Sequence, residues 1–191
     1  MKKIILNLCG GTNAWGEPYK KAGYDVKNIT LPNFDVRTFE PPKNVYGILA
    51  SPPCVMFSLA RSRAKTPRNF REGMELVIAC LKIIWECRYN DKLAFWCLEN
   101  PTGYLRQFLG KPVFIFNPCD FGDRYTKKTD LWGYFNLPKK NPVILNQKEL
   151  WQSKQNSRKL PRISDFTGSK QADRRAITPP GFAKAFFQAN P

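Results

Sequence analysis

The chain has 191 residues, of which 31 are lysine or arginine, 15 are aspartate or glutamate and none is histidine, so its formal net charge is +16. A surplus of this size favours a polyanionic partner, with nucleic acid ahead of an acidic membrane surface. The absence of histidine excludes Ser-His-Asp and Cys-His catalytic pairs and histidine-ligated metals.

The length predicts one domain over 1–191. The cysteines show no CxxC spacing, which argues against a zinc site and a disulfide framework and favours a reducing, cytoplasmic compartment. No apolar run is long enough for a membrane span, so we expect neither a metal nor a membrane partner. There are six cysteines: Cys9, Cys54, Cys80, Cys87, Cys97 and Cys119.

The first predicted elements are a strand, a glycine turn and a helix. The strand covers Lys3 to Leu8, the turn covers 9–13, and the helix runs from Trp15 to Ala22. Exposed backbone in such a turn is how many proteins approach a nucleotide-type cofactor. A second strand is predicted from Val26 to Leu31, and a short third element from Asn33 to Arg37.

A strand predicted from Val45 to Ala50 stops at Pro52-Pro53 and is followed by Cys54. The apolar run fits a strand covered on both faces, and two prolines cannot continue its hydrogen-bond ladder. Because ligands bind outside the carboxyl ends of strands in open α/β sheets, Cys54 is a candidate nucleophile. The alternative is a buried thiol with no chemical role, which is common for a single cysteine.

A basic loop from Ser62 to Arg71 precedes the longest predicted helix, Glu72 to Arg88. The next buried strand, Leu93 to Leu98, ends at Glu99. This alternation of strands and helices predicts an α/β fold with a mostly parallel, doubly wound sheet, which brings Cys54 and Glu99 to the same edge. The helix has apolar residues at three- and four-residue spacing, predicted to form one core face: Met74, Val77, Ile78, Leu81, Ile84 and Trp85.

Two further strands are predicted, from Pro112 to Phe116 and from Asp130 to Phe135, on either side of a polar turn over 120–129. Residues 136–175 are proline-broken, basic and weakly periodic, which is typical of long surface loops. A final amphipathic helix is predicted from Gly181 to Ala189.

In this order, the motifs resemble those of the DNA cytosine-5 methyltransferases over most of the chain. Four moderate matches in the right order are a stronger signal than one Pro-Cys motif. Pro52-Pro53-Cys54 with Phe57-Ser58 is similar to the family's catalytic Pro-Cys motif. Glu99-Asn100 is similar to the family's Glu-Asn motif. The other similar segments are Asn7-Leu8-Cys9-Gly10-Gly11 for the cofactor, Asp35-Val36 for its adenine, the basic turn at 120–129, and Thr178-Pro179 in the last motif.

The resemblance implies a Rossmann-like S-adenosylmethionine-dependent methyltransferase fold. It implies methyl transfer from S-adenosylmethionine to C5 of cytosine in DNA after the Cys54 thiolate adds to C6, with Glu99 donating to ring N3. A cation stabilises the base's carbonyl oxygen, with Lys127 as the first choice and Arg124 as the second. The cofactor-binding residues implied are Leu8, Cys9, Gly10, Gly11, Thr12, Thr30, Asp35 and Pro52. Those implied at the DNA are Pro53, Ser58, Asn100 and Lys128.

Several positions depart from the family's pattern. Asn13 stands where the cofactor motif usually has a second glycine, and Thr30 lies where an acid would hold the ribose. The turn from Arg124 to Thr129 lacks the family's glutamine and two spaced arginines. Residues 136–175, which include Trp151, stand in place of a full recognition domain. We therefore expect a minimal, phage- or prophage-type monomer with short or relaxed specificity, acting on a flipped base in duplex DNA or on single strands.

Two other functions stay open at this stage. The same thiolate chemistry would serve C5 modification of a free pyrimidine nucleotide or of RNA. A degenerate methyltransferase that only binds DNA would account for the missing ribose acid and the altered basic turn.

Overall fold

A computed structural model describes residues 2–90, 93–145, 160–165 and 176–191. Its strands are β1 (Ile4–Leu8), β2 (Asp25–Ile29), β3 (Val45–Ala50), β4 (Phe95–Pro101), β5 (Phe114–Phe116) and β6 (Thr129–Tyr134). Its α-helices are α1 (Glu17–Lys21), α2 (Phe70–Asn90), α3 (Arg106–Leu109) and α4 (Pro180–Ala189). Short 3-10 helices cover Leu59–Arg63, Pro118–Phe121 and Ile163–Asp165.

The six strands form one sheet in the order β2-β1-β3-β4-β6-β5. The pairs β1–β2, β1–β3 and β3–β4 are parallel, and β6 runs antiparallel to both β4 and β5. The predicted α/β class with a mostly parallel sheet is confirmed. The chain moves outward from β1 to β2 and then crosses back to β3 on the other side of β1. The crevice outside the carboxyl ends at such a reversal is the usual ligand site of an open α/β sheet.

Side chains along the central strands alternate between two cores. Leu6, Ile48 and Leu98 pack in the cluster that contains the inner residues of α2. Their neighbours Ile5 and Leu49 pack in the cluster that contains α1 and α4. Both faces of the sheet are covered, which is why these strands are continuous apolar runs.

The final helix, α4, is held against the start of the chain by aromatic packing. Phe182 stacks on Phe116 with ring centroids 4.1 Å apart, and Phe186 meets Trp15 edge-on at 5.3 Å. Tyr19 Oη donates to the carbonyl oxygen of Asn190 over 2.8 Å. The carboxyl-terminal residues therefore pack beside the segment that follows the glycine turn.

The buried stripe of α2 differs from the predicted one. Ile78 and Trp85 are 45% and 65% exposed, whereas Cys80 and Cys87 are buried. Residues 77, 80, 84 and 87 follow helical spacing on one face, so the two cysteines supply apolar contacts where larger side chains were expected. Neither α2 nor any other helix within the described ranges has the length and apolar character of a membrane span.

Several predicted segments also change, and three of them lie near the candidate site residues. β4 extends through Pro101, so Glu99 and Asn100 lie within the strand and not beyond it. The segment from Asn33 to Arg37 forms turns, because the Asp35 carboxylate accepts a hydrogen bond from the Arg37 backbone N–H over 2.9 Å and competes with extended pairing. The predicted loop from Ser62 to Arg71 is shorter, since a 3-10 helix ends at Arg63 and α2 begins at Phe70. In the predicted insertion at 136–175, residues 146–159 and 166–175, including Trp151, lie outside the described residues.

A buried carboxylate joins β6 to the segment that follows β4. The side chain of Asp130 has no exposed surface. Its oxygens accept hydrogen bonds of 2.6 Å from Arg106 Nε, Arg106 Nη2 and Thr102 Oγ1. A buried charge is tolerated only when it is paired in this way, so removing either partner is costly.

We predict that Asp130→Ala lowers the free energy of unfolding by about 3 kcal/mol, because it leaves Arg106 without its carboxylate and strands the Thr102 hydroxyl. Urea unfolding followed by circular dichroism measures the change. The matched control is Asp25→Ala, since Asp25 pairs with Lys27 at 3.7 Å on the surface and such pairs contribute less than about 1 kcal/mol. Equal losses in the two variants would contradict the structural role of Asp130.

Candidate active site

The turn after β1 is a series of left-handed residues. Cys9, Gly11 and Asn13 have φ angles of 54°, 50° and 64°. Asparagine tolerates this region better than most residues, and Asn13 Oδ1 accepts a hydrogen bond from Asn7 Nδ2 over 2.8 Å. Asparagine at position 13, where a glycine was expected, is therefore compatible with the tight turn.

Gly10 lies against two asparagine side chains at the end of β1 and β2. A Cβ atom at position 10 would lie 2.2 Å from both Asn28 Oδ1 and Asn7 Nδ2, so only glycine fits there. Asn28 Nδ2 also donates to the Gly11 carbonyl oxygen over 3.0 Å. Gly11 itself has nothing within 4 Å of the position that a Cβ would occupy. Its backbone is open to an incoming ligand.

The other residues expected at the cofactor lie around this turn. Leu8 is fully buried, and its carbonyl oxygen accepts the hydrogen bond from the Ser51 N–H. Thr12 is exposed beyond the glycines, and the half-buried Thr30 follows directly after β2. These residues lie at the carboxyl edge of β1 and β2.

Asp35 is already engaged by a neighbouring arginine. Arg37 Nε lies 2.9 Å from Oδ1 and 3.0 Å from Oδ2, and Arg37 Nη2 lies 2.6 Å from Oδ2. The hydrogen bonds from the Arg37 side chain and backbone lower the pKa of Asp35 to about 2. Any amino group that binds Asp35 shares the carboxylate with Arg37.

The loop after β3 begins as a continuation of the parallel ladder. The Ser51 backbone N–H donates to the Leu8 carbonyl oxygen over 2.9 Å. Pro52 is buried, and its carbonyl oxygen accepts a 2.9 Å hydrogen bond from Asn100 Nδ2. Pro53 is exposed and Cys54 is half-buried, so the Cys54 side chain is partly accessible to solvent.

Arg68 was not singled out from the sequence, yet it holds this loop from the other side. Its Nη1 donates to the Met56 carbonyl oxygen over 2.8 Å, and its Nη2 donates to that of Ser58 over 2.9 Å. The guanidinium also lies 4.7 Å from the centre of the Tyr104 ring. Its place in a basic loop suggested a solvent or phosphate contact, and only the folded chain reveals these carbonyl partners.

The same loop is closed against the segment after β4. The Tyr104 backbone N–H donates to the Phe57 carbonyl oxygen over 2.9 Å, and Ser58 forms a β-bridge with Gly103. A Cβ at Gly103 would lie 2.3 Å from the Phe57 carbonyl oxygen, so this approach requires glycine. The loop that carries Cys54 is thus bound to β1, β4 and the start of α2.

Glu99 and Lys127 meet at the same edge of the sheet. Lys127 Nζ lies 3.7 Å from Glu99 Oε1, and the two side chains are 10% and 12% exposed respectively. The first-choice cation from the sequence is therefore paired with the candidate acid. Arg124 and Lys128, on either side, are exposed.

Tyr125 also lies near this pair and was not expected there. Burial raises the pKa of Tyr125 to about 12, with smaller contributions from the charges of Asp123 and Glu99. The phenol stays neutral at physiological pH and can donate a hydrogen bond. No sequence pattern singled it out, because its neighbours form a bend without regular periodicity.

Two residues expected at the substrate have other partners. Asn100 is fully buried, and its Nδ2 donates to the Pro52 carbonyl oxygen, so it positions the loop. Ser58 Oγ accepts a 3.2 Å hydrogen bond from the Ala60 backbone N–H and caps the 3-10 helix that follows. Along β4, Asn100 faces Asp130 while its neighbour Glu99 points to the opposite face of the sheet.

Cys9, in the glycine turn, contacts Cys80 of α2. Their Sγ atoms are 4.0 Å apart. The hydrogen bond with Cys80 lowers the pKa of Cys9, against the opposing effects of burial and of the Asp35 charge. The same hydrogen bond and burial raise the pKa of Cys80. Cys9 is therefore the more acidic thiol of the pair.

Comparison with known proteins adds little to this description. No protein-family model and no curated protein matches the chain. Among solved structures, the chain is similar to the methyltransferase EhMeth of Entamoeba histolytica, at 11% identity with a TM-score of 0.42. The alignment covers 77% of this chain and 57% of that one, so this chain spans little more than half of that structure's length. The assignment of the site therefore rests on its geometry.

We predict that Cys80→Ala moves the pH profile of Cys9 alkylation to higher pH. Loss of the Cys80 partner removes the hydrogen bond that stabilises the Cys9 thiolate, so the pKa of Cys9 rises and less thiolate is present at a given pH. Iodoacetamide labelling at a series of pH values, with peptide mass spectrometry, measures the profile. Cys87→Ala is the control, because Cys87 is buried on the same face of α2, seven residues beyond Cys80. An unchanged profile in Cys80→Ala would refute the assignment.

Proposed function

We propose that the protein transfers a methyl group from S-adenosylmethionine to C5 of cytosine in DNA through a covalent bond between Cys54 and C6. One observation carries the proposal: the Cys54 loop, the Glu99–Lys127 pair and the open glycine turn lie along one edge of the sheet. In the sequence the glycine turn, Cys54 and Glu99 lie far apart, and the parallel strands bring them to one edge. Their order along the chain also resembles the cytosine-5 methyltransferases.

The residues around the glycine turn fit a nucleoside-type methyl donor. The open backbone at Gly11 allows a close approach, and the hydroxyls of Thr12 and Thr30 lie at the same edge. Thr30 offers one hydroxyl where a carboxylate would bind two ribose hydroxyls, which weakens binding but retains a hydrogen bond. When bound, S-adenosylmethionine supplies an electrophilic methyl group on a sulfonium.

The chain's own residues would supply the activation of cytosine. The Cys54 thiolate forms a bond to C6, and the electrons of the C5–C6 double bond become available at C5. Glu99 would hydrogen-bond the N3 edge of the base, and Lys127 would place positive charge beside its carbonyl oxygen. C5 would then take the methyl group while the sulfonium leaves as a neutral thioether. Loss of the C5 proton to water would re-form the C5–C6 double bond, break the S–C6 bond and return the thiolate.

Limited solvent access supports this electrostatic role. Lys127 and Glu99 expose only 10% and 12% of their side chains. Charges in such surroundings act on a bound base more strongly than charges in bulk water. The net charge of +16 favours DNA over a mononucleotide as the carrier of that base.

A non-catalytic DNA-binding protein is the second candidate, and one observation favours it. The ribose-binding acid is absent at Thr30, and Asp35 is already paired with Arg37. Weak binding of the methyl donor would leave a protein that holds DNA and does not modify it.

We predict that DNA containing 5-fluorocytosine forms a stable covalent adduct with the protein in the presence of S-adenosylmethionine. Fluorine at C5 cannot leave as a proton does, so the S–C6 bond persists and is seen as a shifted band on a denaturing gel. The adduct disappears in Cys54→Ala and persists in Cys119→Ala, a cysteine of similar half-burial outside the loop.

Absence of an adduct on duplex and single-stranded DNA, with the protein folded, would support the DNA-binding candidate. Parallel incubations with RNA and with deoxycytidine monophosphate test the other substrates. Modification of either one without modification of DNA would overturn the proposal.

We predict that Glu99→Gln lowers the rate of methyl transfer to DNA by about 10²–10⁴-fold, the range typical for loss of a positioned acid. The amide cannot act as the acid, which lowers the rate. Because it keeps the shape of the side chain, we expect the affinity for DNA to change little. Transfer of labelled methyl groups measures the rate. Glu86→Gln, at an exposed position of α2, is the matched control, and an equal rate in the two variants would remove Glu99 from the mechanism.

A further inference from the structure

One described piece of the basic stretch is docked beside the Glu99–Lys127 pair. We call residues 160–165 the docked segment. The Thr126 backbone N–H donates to the Pro161 carbonyl oxygen over 2.8 Å, and the Ile163 N–H donates to the Thr126 carbonyl oxygen over 2.9 Å. These bonds form a parallel bridge between Thr126 and Arg162. The docked segment therefore extends the turn that carries Lys127.

The docked segment is stabilised by hydrogen bonds between Asp165 and Arg162. Asp165 Oδ2 accepts a 2.8 Å hydrogen bond from the Arg162 backbone N–H, and the Asp165 N–H donates to the Arg162 carbonyl oxygen over 2.9 Å. Arg162 is thus fixed at both its N–H and its carbonyl group. Its backbone position next to Thr126 is set by hydrogen bonds, while its side chain is exposed.

The turn divides its side chains between an inner and an outer side. Lys127 is largely buried and faces Glu99, and Tyr125 is half-buried near the same carboxylate. Arg124 and Lys128 are exposed. Because Arg162 lies beside Thr126, midway between these two residues, it completes a group of three exposed cations. We call Arg124, Lys128 and Arg162 the basic rim.

We propose that the basic rim binds phosphate groups of DNA on either side of the target base, and that the docked segment serves to carry Arg162 to this position. This inference rests on the proposed function for the entry of the base beside Glu99. Four residues of chain span at most about 13 Å, and neighbouring strands lie about 4.8 Å apart. One DNA strand carries a charge every ~3.4 Å along its axis, so the rim has the length of a few phosphates. Phosphate contacts of this kind position the DNA without reading its sequence.

The test compares Arg162→Ala with Arg88→Ala in a Cys54→Ala background, so that no covalent adduct forms. Arg88 is exposed near the end of α2, and a 21-residue helix is about 30 Å long, which places it far from the loop. Fluorescence anisotropy measures the affinity for a labelled cytosine-containing duplex between about 50 and 200 mM salt. We expect Arg162→Ala to lower the slope of log K against log salt by about 1 and Arg88→Ala to leave it unchanged.

Arg162→Lys is the second variant. A phosphate contact needs the charge, so we expect lysine to retain the slope of the parent protein. The proposal is overturned if Arg162→Ala keeps the full slope, if both arginine-to-alanine variants lose it equally, or if Arg162→Lys loses as much as alanine. A slope change seen with RNA of the same sequence and not with DNA overturns the assignment of the partner.

The salt dependence of Arg162→Ala and the 5-fluorocytosine adduct test the basic rim and methyl transfer separately. Loss of slope in Arg162→Ala without any 5-fluorocytosine adduct in the parent protein supports the rim and refutes methyl transfer. An adduct in the parent protein with an unchanged slope in Arg162→Ala supports methyl transfer and refutes the rim.

Discussion

The candidate site depends on a loss of backbone hydrogen-bond donors at Pro52-Pro53. Proline has no N–H, so the parallel ladder between β1 and β3 cannot continue past Ser51. The loop is held instead through its carbonyl oxygens. Asn100 binds that of Pro52, and Arg68 binds those of Met56 and Ser58. The prolines release Cys54 from the sheet, and these donors keep the released loop in one place.

The antiparallel strands β4 and β6 place the buried Asp130 network and the Glu99–Lys127 pair on opposite faces of the sheet. Asn100 faces Asp130 across the pair, and Asp130 is buried with Arg106. One residue earlier, Glu99 points to the other face, where it meets Lys127. Because strand side chains alternate, one face of these strands holds a buried network for stability while the other presents an acid and a cation to the crevice. A change of register by one residue would exchange the two roles.

The glycine turn shows how a departure from an expected pattern is absorbed. Asn13 stands where a glycine was expected; it adopts a left-handed conformation, and its Oδ1 accepts a hydrogen bond from Asn7. Gly10 has no such freedom, because the asparagines at positions 7 and 28 leave no space for a Cβ. Thr30 and Asp35 are a different case, since Thr30 offers a hydroxyl where an acid was expected after β2, and the Asp35 carboxylate is shared with Arg37.

The sequence by itself determined the α/β class, the buried strands and the position of Cys54 at a strand end, because these follow from local apolar runs and from proline chemistry. It also singled out Glu99 and Lys127 through the resemblance of motifs. Only the tertiary structure revealed the pairing of these two residues, the positioning role of Asn100, the partners of Arg68 and the buried network around Asp130. It also corrected the buried face of α2, where Cys80 and Cys87 replace Ile78 and Trp85. Such features depend on contacts between segments far apart in the chain and on strand register, which no local pattern encodes.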